Sequence, residues 1–336
     1  MPTLIQVCNV AEVMGGTGAC AWTITRALRE WRHVVAFPKA ARPEVVRAFA
    51  PAEVRTWPTI SPTQIRDAAK QNGQDRDGTV VLLHNTAAGR VQGELPAVVL
   101  QYVHSAIRPA PADSVRYCSR YLAERCGAPT ESALYQAVPE PPRSEGSDNR
   151  SLRRNLVVGR LCTPTPKKWP DEIVAWTESL AARVPGIRWE FVGCPAGMQS
   201  RLREACAGDA VFHDASWEAR RFLWQWDALT YHHPTITETF GRVVAESLRA
   251  GCVPVVDARG GFLEQVTPET GFACATDDEF ASALETLRDN QPLRWRMSHA
   301  GRRRGRELYS EEALADRLKH WIRQTAATLS ERIVPC

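Results

Sequence analysis

Glu238-Thr-Phe-Gly-Arg-Val-Val-Ala-Glu246, followed by Ala250-Gly-Cys-Val-Pro-Val-Val256, sets two carboxylates eight positions apart around a Phe-Gly step and ends in a short apolar run. The preceding run Ala228-Leu-Thr-Tyr231 reads as a strand, residues 232–239 as a loop, and the stretch from Gly241 as a helix that leads into the second strand. Strand, crossover helix and parallel strand make the unit of an open α/β sheet. A helix beginning there would offer the backbone N–H groups of Phe240, Gly241 and Arg242 to an anion, phosphate above all. Gly241 has no side chain to obstruct that approach, and Glu246 stands ~6–8 Å further along the axis. Glu238, just before the helix, can accept hydrogen bonds from hydroxyl groups. The same spacing also fits a surface pair of Arg242 with Glu246 and a solvated Glu238.

Upstream, Leu156-Val-Val-Gly-Arg160 reads as a strand ending in an arginine aimed at the same sheet edge, with Lys167-Lys168-Trp169-Pro170 after it. Arginine and lysine together can neutralise a diphosphate as it leaves; the alternative is two exposed basic residues near a strand end. The alternation continues through a helix at 171–183, a strand at 188–192, a helix at 197–206, a strand at 210–213 and a Trp-rich helix at 216–226. The first half shows it too, with strands at 4–8, 33–37, 79–83, 97–103 and 114–118 and helices near 18–30 and 62–72. Pro139 to Asn149, rich in Pro and turn formers, reads as a linker. Residues from 277 read as helical, with Ser310-Glu-Glu as a cap. The expectation is an α/β chain of two Rossmann-like doubly wound domains facing a cleft, over 1–145 and 155–309, joined by 146–154. A last helix over 310–330 could pack on either domain. Ligands of such sheets bind beyond the carboxyl ends of the strands.

Composition narrows the function classes. With 42 basic and 38 acidic side chains among 336 residues, the net charge of +4 implies neither nucleic acid nor an anionic membrane on bulk charge alone. No run reaches the ~20 apolar residues of a membrane span, and Met1-Pro-Thr3 does not open a signal peptide, so a cytoplasmic protein without stable membrane insertion is expected. The ten cysteines form no Cys-x-x-Cys pair and no evident cluster with histidine, and read as small buried apolar residues in a reducing compartment. Neither a Gly-x-x-x-x-Gly-Lys loop nor a Gly-x-Ser-x-Gly elbow occurs. Arg302-Arg-Arg-Gly-Arg306 reads as arginines spread around a helix, and Trp217, Trp224 and Trp226 as core or interface rather than a sugar platform.

Taken together, Gly159-Arg160-Leu161, the following lysines, Glu238-Thr-Phe-Gly-Arg-Val-Val-Ala-Glu246 and Arg259-Gly-Gly-Phe-Leu-Glu264 resemble the retaining glycosyltransferases of the two-domain GT-B fold, family four, or group 1. Trp189-Glu-Phe-Val-Gly193 is similar to that family's Val-Gly strand end. The resemblance implies that Arg160 and Lys168 bind the donor diphosphate, that Glu238, Thr239, Phe240 and Gly241 meet the donor sugar and phosphates, and that Glu246 meets the ribose. Met14-Gly-Gly-Thr-Gly18 resembles the family's Gly-Gly loop, which implies donor contacts at Gly15 and Gly16; a plain strand-to-helix turn also fits. His104 sits where the family carries a histidine against the donor sugar, with His84 as a rival that also closes a strand. Ser119 reads as a helix cap. Three departures stand out. The lysine lies further from Arg160 than is common, so Lys167 and Lys168 compete; Thr239 replaces the commoner Gly; and the first domain is short. The implied activity is a metal-independent, retaining hexosyltransferase with catalytic His104, Glu238, Arg160 and Lys168. Its co-substrate is a nucleoside-diphosphate sugar, UDP-sugar by default, with no other cofactor and no metal. The acceptor hydroxyl, on a small molecule, glycan, lipid or modified DNA base, stays open. Alternatives are a phage-type transferase acting on hydroxymethylated DNA bases and a silent nucleotide- or glycan-binding protein of the same fold.

Overall fold

The computed structural model describes residues 1–13, 16–70, 78–143 and 155–333, so Gly15 and the linker expected at 146–154 lie outside it. The chain forms two compact units, Met1–Val138 with Glu311–Cys336, and Pro139–Ser310. Each is an all-parallel six-stranded sheet with flanking helices.

In the first unit the strands are β1 (Thr3–Val7), β2 (Arg32–Phe37), β3 (Glu53–Thr56), β4 (Thr79–His84), β5 (Val98–Val103) and β6 (Ser114–Tyr117), in the order β3-β2-β1-β4-β5-β6. The crossovers carry α1 (Gly16–Ala27), α2 (Pro43–Phe49) and α3 (Pro62–Ala69), and α4 (Arg120–Arg125) follows β6. Parallel strands are covered on both faces, which is why they read as apolar runs rather than alternating ones. Along β2 the pleat sends Val34 and Ala36 into one core with Ile5 and Leu83, and Val35 and Phe37 into another with Phe49. Ser61 and Gln64 close α3 with reciprocal capping bonds behind Pro62, and the Ser119 hydroxyl accepts from Leu122 N at 3.0 Å, so Ser119 is the cap of α4.

The second unit repeats the topology. Its strands are β7 (Leu156–Leu161), β8 (Ile187–Val192), β9 (Ala210–His213), β10 (Ala228–Tyr231), β11 (Val253–Asp257) and β12 (Phe272–Cys274), in the order β12-β11-β10-β7-β8-β9. Its helices are α5 (Glu172–Arg183), α6 (Ala196–Ala205), α7 (Arg242–Ala250), α8 (Phe262–Gln265), α9 (Asp277–Asp289) and α10 (Gln291–Tyr309). The expected Trp-rich helix is a 3-10 segment, Glu218–Trp224. Trp224 and Trp226 are core, and the ring of Trp226 lies on β7 where a Cβ on Gly159 would come within 2.0 Å of it. The glycine before Arg160 is therefore a packing requirement of the strand.

The last helix, α11 (Glu311–Ile333), belongs to the first unit. Arg26 Nε meets Glu311 at 2.7 Å, Lys319 meets Glu30 at 2.6 Å, and Trp321 Nε1 donates to Ser114 Oγ at 2.8 Å. Among the described residues no helix is long and apolar enough to cross a membrane.

Candidate functional site

In the order β9-β8-β7-β10-β11-β12 the sheet of the second unit reverses direction between β7 and β10, and open sheets bind ligands outside the carboxyl ends of the strands at that switch point. Arg160 is the penultimate residue of β7 and Tyr231 the last of β10. The alternative of an exposed basic residue does not hold at Arg160, which is 1% exposed. Its Nη1 donates to His232 O at 2.9 Å and its Nη2 to Lys168 O at 3.0 Å. The guanidinium lies 5.1 Å from the ring centre of Trp169 and 5.2 Å from that of Tyr231. Delocalised charge stacks and forks in this way where an ammonium could not, so Arg160 braces the loops after β7 and β10 against each other.

That brace delivers Lys168. Its Nζ donates to Tyr231 Oη at 3.1 Å and pairs with the Glu238 carboxylate, which also accepts from the Tyr231 hydroxyl. Burial, with the Glu238 carboxylate adding to it, pushes the Tyr231 phenol upward, so it stays a neutral donor. Lys167 points elsewhere: it is exposed, and only its carbonyl is engaged, by His233 Nε2 at 2.8 Å. His233 Nδ1 accepts from Ile236 N at 2.9 Å, fixing that ring as a neutral clasp between the two loops; burial lowers its pKa. Of the competing lysines, geometry brings only Lys168 to Glu238.

The entry to α7 is set by sterics. Gly241 has φ 84°, and a Cβ there would come within 2.2 Å of the Phe262 ring. Gly261 N donates to Glu238 O at 2.9 Å, and a Cβ on Gly260 would come within 2.4 Å of that oxygen. The Gly-Gly element thus clamps the Glu238 loop through backbone approach. Phe240 is buried against Tyr309, with ring centres 5.8 Å apart, so only its backbone can serve a ligand. The N-cap of α7 is Gly241, which has no side chain to fold over the first turn, and Thr239 is partly exposed beside it.

Glu246 is 1% exposed, on the inner face of α7, and the surface pair with Arg242 is not what forms. Its Oε1 lies 3.0 Å from Arg220 Nε, an ion pair without hydrogen-bond alignment, so Oε1 has no hydrogen-bond partner among the described residues. Arg220 in turn stacks on Trp217, 4.3 Å from its ring centre. A buried acceptor left open in this way is the kind of group a ligand hydroxyl satisfies. Beneath the loop after β10, Asp257 accepts from His232 Nδ1 at 2.7 Å, His233 N at 2.9 Å and Arg259 at 2.9 Å. Burial alone would raise the Asp257 carboxyl; these three donors override it and hold it below the usual range.

In the first unit the rival histidines act together. Gln136 Nε2 lies 3.1 Å from His104 Nδ1, His104 Nε2 lies 3.2 Å from His84 Nδ1, and His84 Nε2 lies 3.0 Å from Gln6 Oε1, whose Nε2 donates to Thr25 at 2.9 Å. Donors run one way along this chain only if both rings are neutral. Burial drives the His84 pKa down to about 3. Cys20, against the expectation that no cysteine clusters with histidine, lies with His84 and His104 in a fully buried group. The two ring planes lie within 15° of parallel with centres 5.4 Å apart, and their facing nitrogens are at hydrogen-bond distance. Gly16 opens α1 with φ 37°, and Gly18 packs where a Cβ would strike the Glu12 carbonyl. The only Asp-x-Asp of the chain, Asp75-Arg-Asp77, lies outside the described residues.

Tyr231, Arg220 and the His232–Asp257 pair are missing from the motif reading. Tyr231 was visible only as the last residue of a strand, and Arg220 stands 26 positions from its partner, beyond any short motif.

Residues 212–304 match the family described as Glycosyl transferases group 1. No curated protein matches the chain. Among solved structures, the chain is similar to Anabaena Alr3699/HepE in complex with UDP and glucose, at 17% identity over 98% of this chain and 100% of that one, with a TM-score of 0.68. It is also similar to a glycosyltransferase from Rickettsia africae, at 12% identity, 97% and 98% coverage and a TM-score of 0.71. Sucrose-phosphate synthase from Thermosynechococcus elongatus follows at 15% identity, 98% and 100% coverage and a TM-score of 0.66. The fold is the two-domain α/β GT-B fold, and the matched segment spans β10 to α10, where Glu238 and Glu246 stand.

Proposed function

We propose that this protein is a retaining glycosyltransferase that moves a sugar from a nucleoside-diphosphate sugar to an acceptor hydroxyl without a metal. The observation that carries the reading is Glu246, a buried carboxylate on the first turns of a helix that opens on a glycine, with an oxygen that has no hydrogen-bond partner among the described residues. A ribose hydroxyl donating there would place the diphosphate near the α7 N-terminus, beside Lys168. Lys168 then exchanges Glu238 for phosphate oxygens, and Glu238 is released to the sugar hydroxyls. Arg160 supplies fixed positive charge from below and holds Lys168 in place as charge develops on the leaving diphosphate. Metal independence rests on these two cations. Retention rests on the family resemblance and on the want of a separate nucleophile among the residues named, with the departing phosphate assisting attack on the same face. His104, with its ring engaged, serves the sugar through position rather than proton transfer, and Gly16 serves through close backbone approach.

UDP is the first donor to test, since the similar Anabaena protein was crystallised with UDP and glucose. Calorimetric titration with UDP-, GDP-, ADP- and dTDP-sugars, followed by NMR of the product anomer with an added chelator, tests each part. Binding with retained configuration and no chelator effect supports the reading. An inverted product or loss of activity with chelator defeats it, and binding without hydrolysis or transfer of any donor favours the silent alternative.

A further inference from the structure

The arginine cluster at the end of the second unit divides its labour. Arg302 lies over Trp224, 5.4 Å from its ring centre, and Arg304 donates to the last carbonyls of α8, Gln265 O at 2.9 Å and Glu264 O at 2.8 Å. Arg303 and Arg306 do neither. With Arg296, Trp295 and His299 they form the exposed stripe of α10, at helical spacing along one face. None of Arg296, Arg303 and Arg306 makes an ion pair or side-chain hydrogen bond among the described residues, whereas the other three arginines of the helix are all engaged.

Trp295 is 54% exposed, the most exposed tryptophan or phenylalanine among the described residues, and its ring sits 5.4 Å from that of His299. Beside it opens a cavity of about 1010 Å³ within the unit, floored by Pro268, Pro292, Leu293 and Met297 and edged by Arg296, His299 and Arg303, with Glu269 the one acid on its rim. Leaving an indole in water beside an apolar cavity forgoes the burial that fills the rest of this unit. A nucleic acid would use the arginines and leave the apolar floor empty. An indole flanked by unpaired arginines over an apolar recess matches a surface that is anionic outside and hydrocarbon inside.

We infer that this face of α10 docks on an anionic phospholipid surface, with Trp295 and the recess taking acyl-chain carbons and Arg296, Arg303 and Arg306 meeting headgroup phosphates. No residue of the donor site takes part, so the inference stands or falls apart from the proposed transfer reaction. Docking of this kind is peripheral and salt-dependent, and requires no membrane-spanning helix.

The test is co-sedimentation of the whole protein with vesicles of phosphatidylcholine alone and of roughly three parts phosphatidylcholine to one part phosphatidylglycerol, at low salt. Binding to the mixed vesicles only is expected. R296A/R303A should weaken it about 25-fold, some fivefold per arginine, and W295A about tenfold. All three residues are exposed, so urea midpoints should match wild type and separate lost docking from lost folding. No sedimentation with the mixed vesicles overturns the inference, as does binding that W295A leaves unchanged. Duplex DNA bound more tightly than the mixed vesicles at the same salt also overturns it, assigning the stripe to a nucleic acid.

Discussion

Removing the charge of Glu246 perturbs two things at once, and a second substitution can separate them. Glu246 and Arg220 are a buried pair with side chains 1% and 11% exposed. Glu246→Gln leaves the Arg220 guanidinium in the interior without its counter-charge, and breaking a buried pair from one side costs ~3–5 kcal/mol. Arg220→Met in the same chain removes the stranded charge at similar side-chain length, and neutral replacement of both partners is close to thermodynamically neutral. The double variant should recover most of the lost stability. Donor binding follows a different rule. A hydroxyl donating to a carboxylate contributes ~1.5–3 kcal/mol, so loss of the charged acceptor should weaken donor affinity about 10- to 150-fold in the single and double variants alike. Urea denaturation reads the first quantity and calorimetric titration with UDP-sugar the second. A double variant that regains stability and binds donor as tightly as wild type would refute the assignment of Glu246 to the ribose. A single variant with wild-type stability would refute the buried pair.

Three further outcomes follow from the same geometry. Lys168→Ala should raise the donor KM about 10- to 150-fold, as expected for a lost charge-assisted phosphate contact, while Lys167→Ala stays within about threefold; initial-rate kinetics check both. Gly241→Ala should destabilise the fold by ~2–4 kcal/mol through the left-handed backbone and the Phe262 clash, and Phe262→Leu should relieve only the clash, so the double variant in urea should lie above the sum of the singles. Asp257 has a depressed carboxyl, so its stabilisation is present above its unfolded pKa of ~3.9 and is lost as pH falls through the lower folded value. Asp257→Asn should therefore lower stability at neutral pH and flatten the acid branch of the stability profile, read by denaturant melts across pH.

How much was legible in the sequence depends on how local each feature is. The strands at Thr79–His84, Ala210–His213 and Ala228–Tyr231 are short apolar runs bounded by turn formers, and buried parallel strands carry that signature wherever they sit. Glu53–Thr56 and Phe272–Cys274 escaped because each is an edge strand of three or four residues with a polar or exposed position, too short to show a pattern. The carboxylates and basic residues at the β7 and β10 ends were legible as types at a spacing. Their states were not, because burial is a property of the whole unit. Arg160 reads as an open cation until Trp169 and Tyr231 close over it, and Glu246 reads as a surface residue until Arg220 arrives from the segment after β9. The glycines show the same limit: Gly159 and Gly241 were assigned to ligand access or passed over, whereas Trp226 and Phe262 decide them.

The histidine pair tests whether the first unit contributes a proton or a position. His104 and His84 share one hydrogen bond within a chain that runs from Gln136 to Thr25, and a second proton would set two N–H groups against each other, at 3.2 Å between the rings if on His84 and at 3.1 Å against the Gln136 amide if on His104. With His84 held to about 3 by burial, the unfolded chain binds a proton near pH 6.5 that the folded chain refuses. Stability should therefore fall as pH drops from 6.5 towards 4.5, by up to ~2.7 kcal/mol from this one residue. His84→Phe should reduce that slope by one proton, measured as the pH dependence of denaturant midpoints, though it also strands the Gln6 carbonyl and costs ~1–3 kcal/mol at neutral pH. A variant with the same slope as wild type would show that His84 takes up its proton in the fold. The kinetic counterpart is sharper. If the pair stays neutral, kcat/KM should carry no inflection from these rings between pH 5 and 8; one that disappears in His104→Gln would make His104 a proton donor and move the chemistry of the first unit from positioning to acid catalysis.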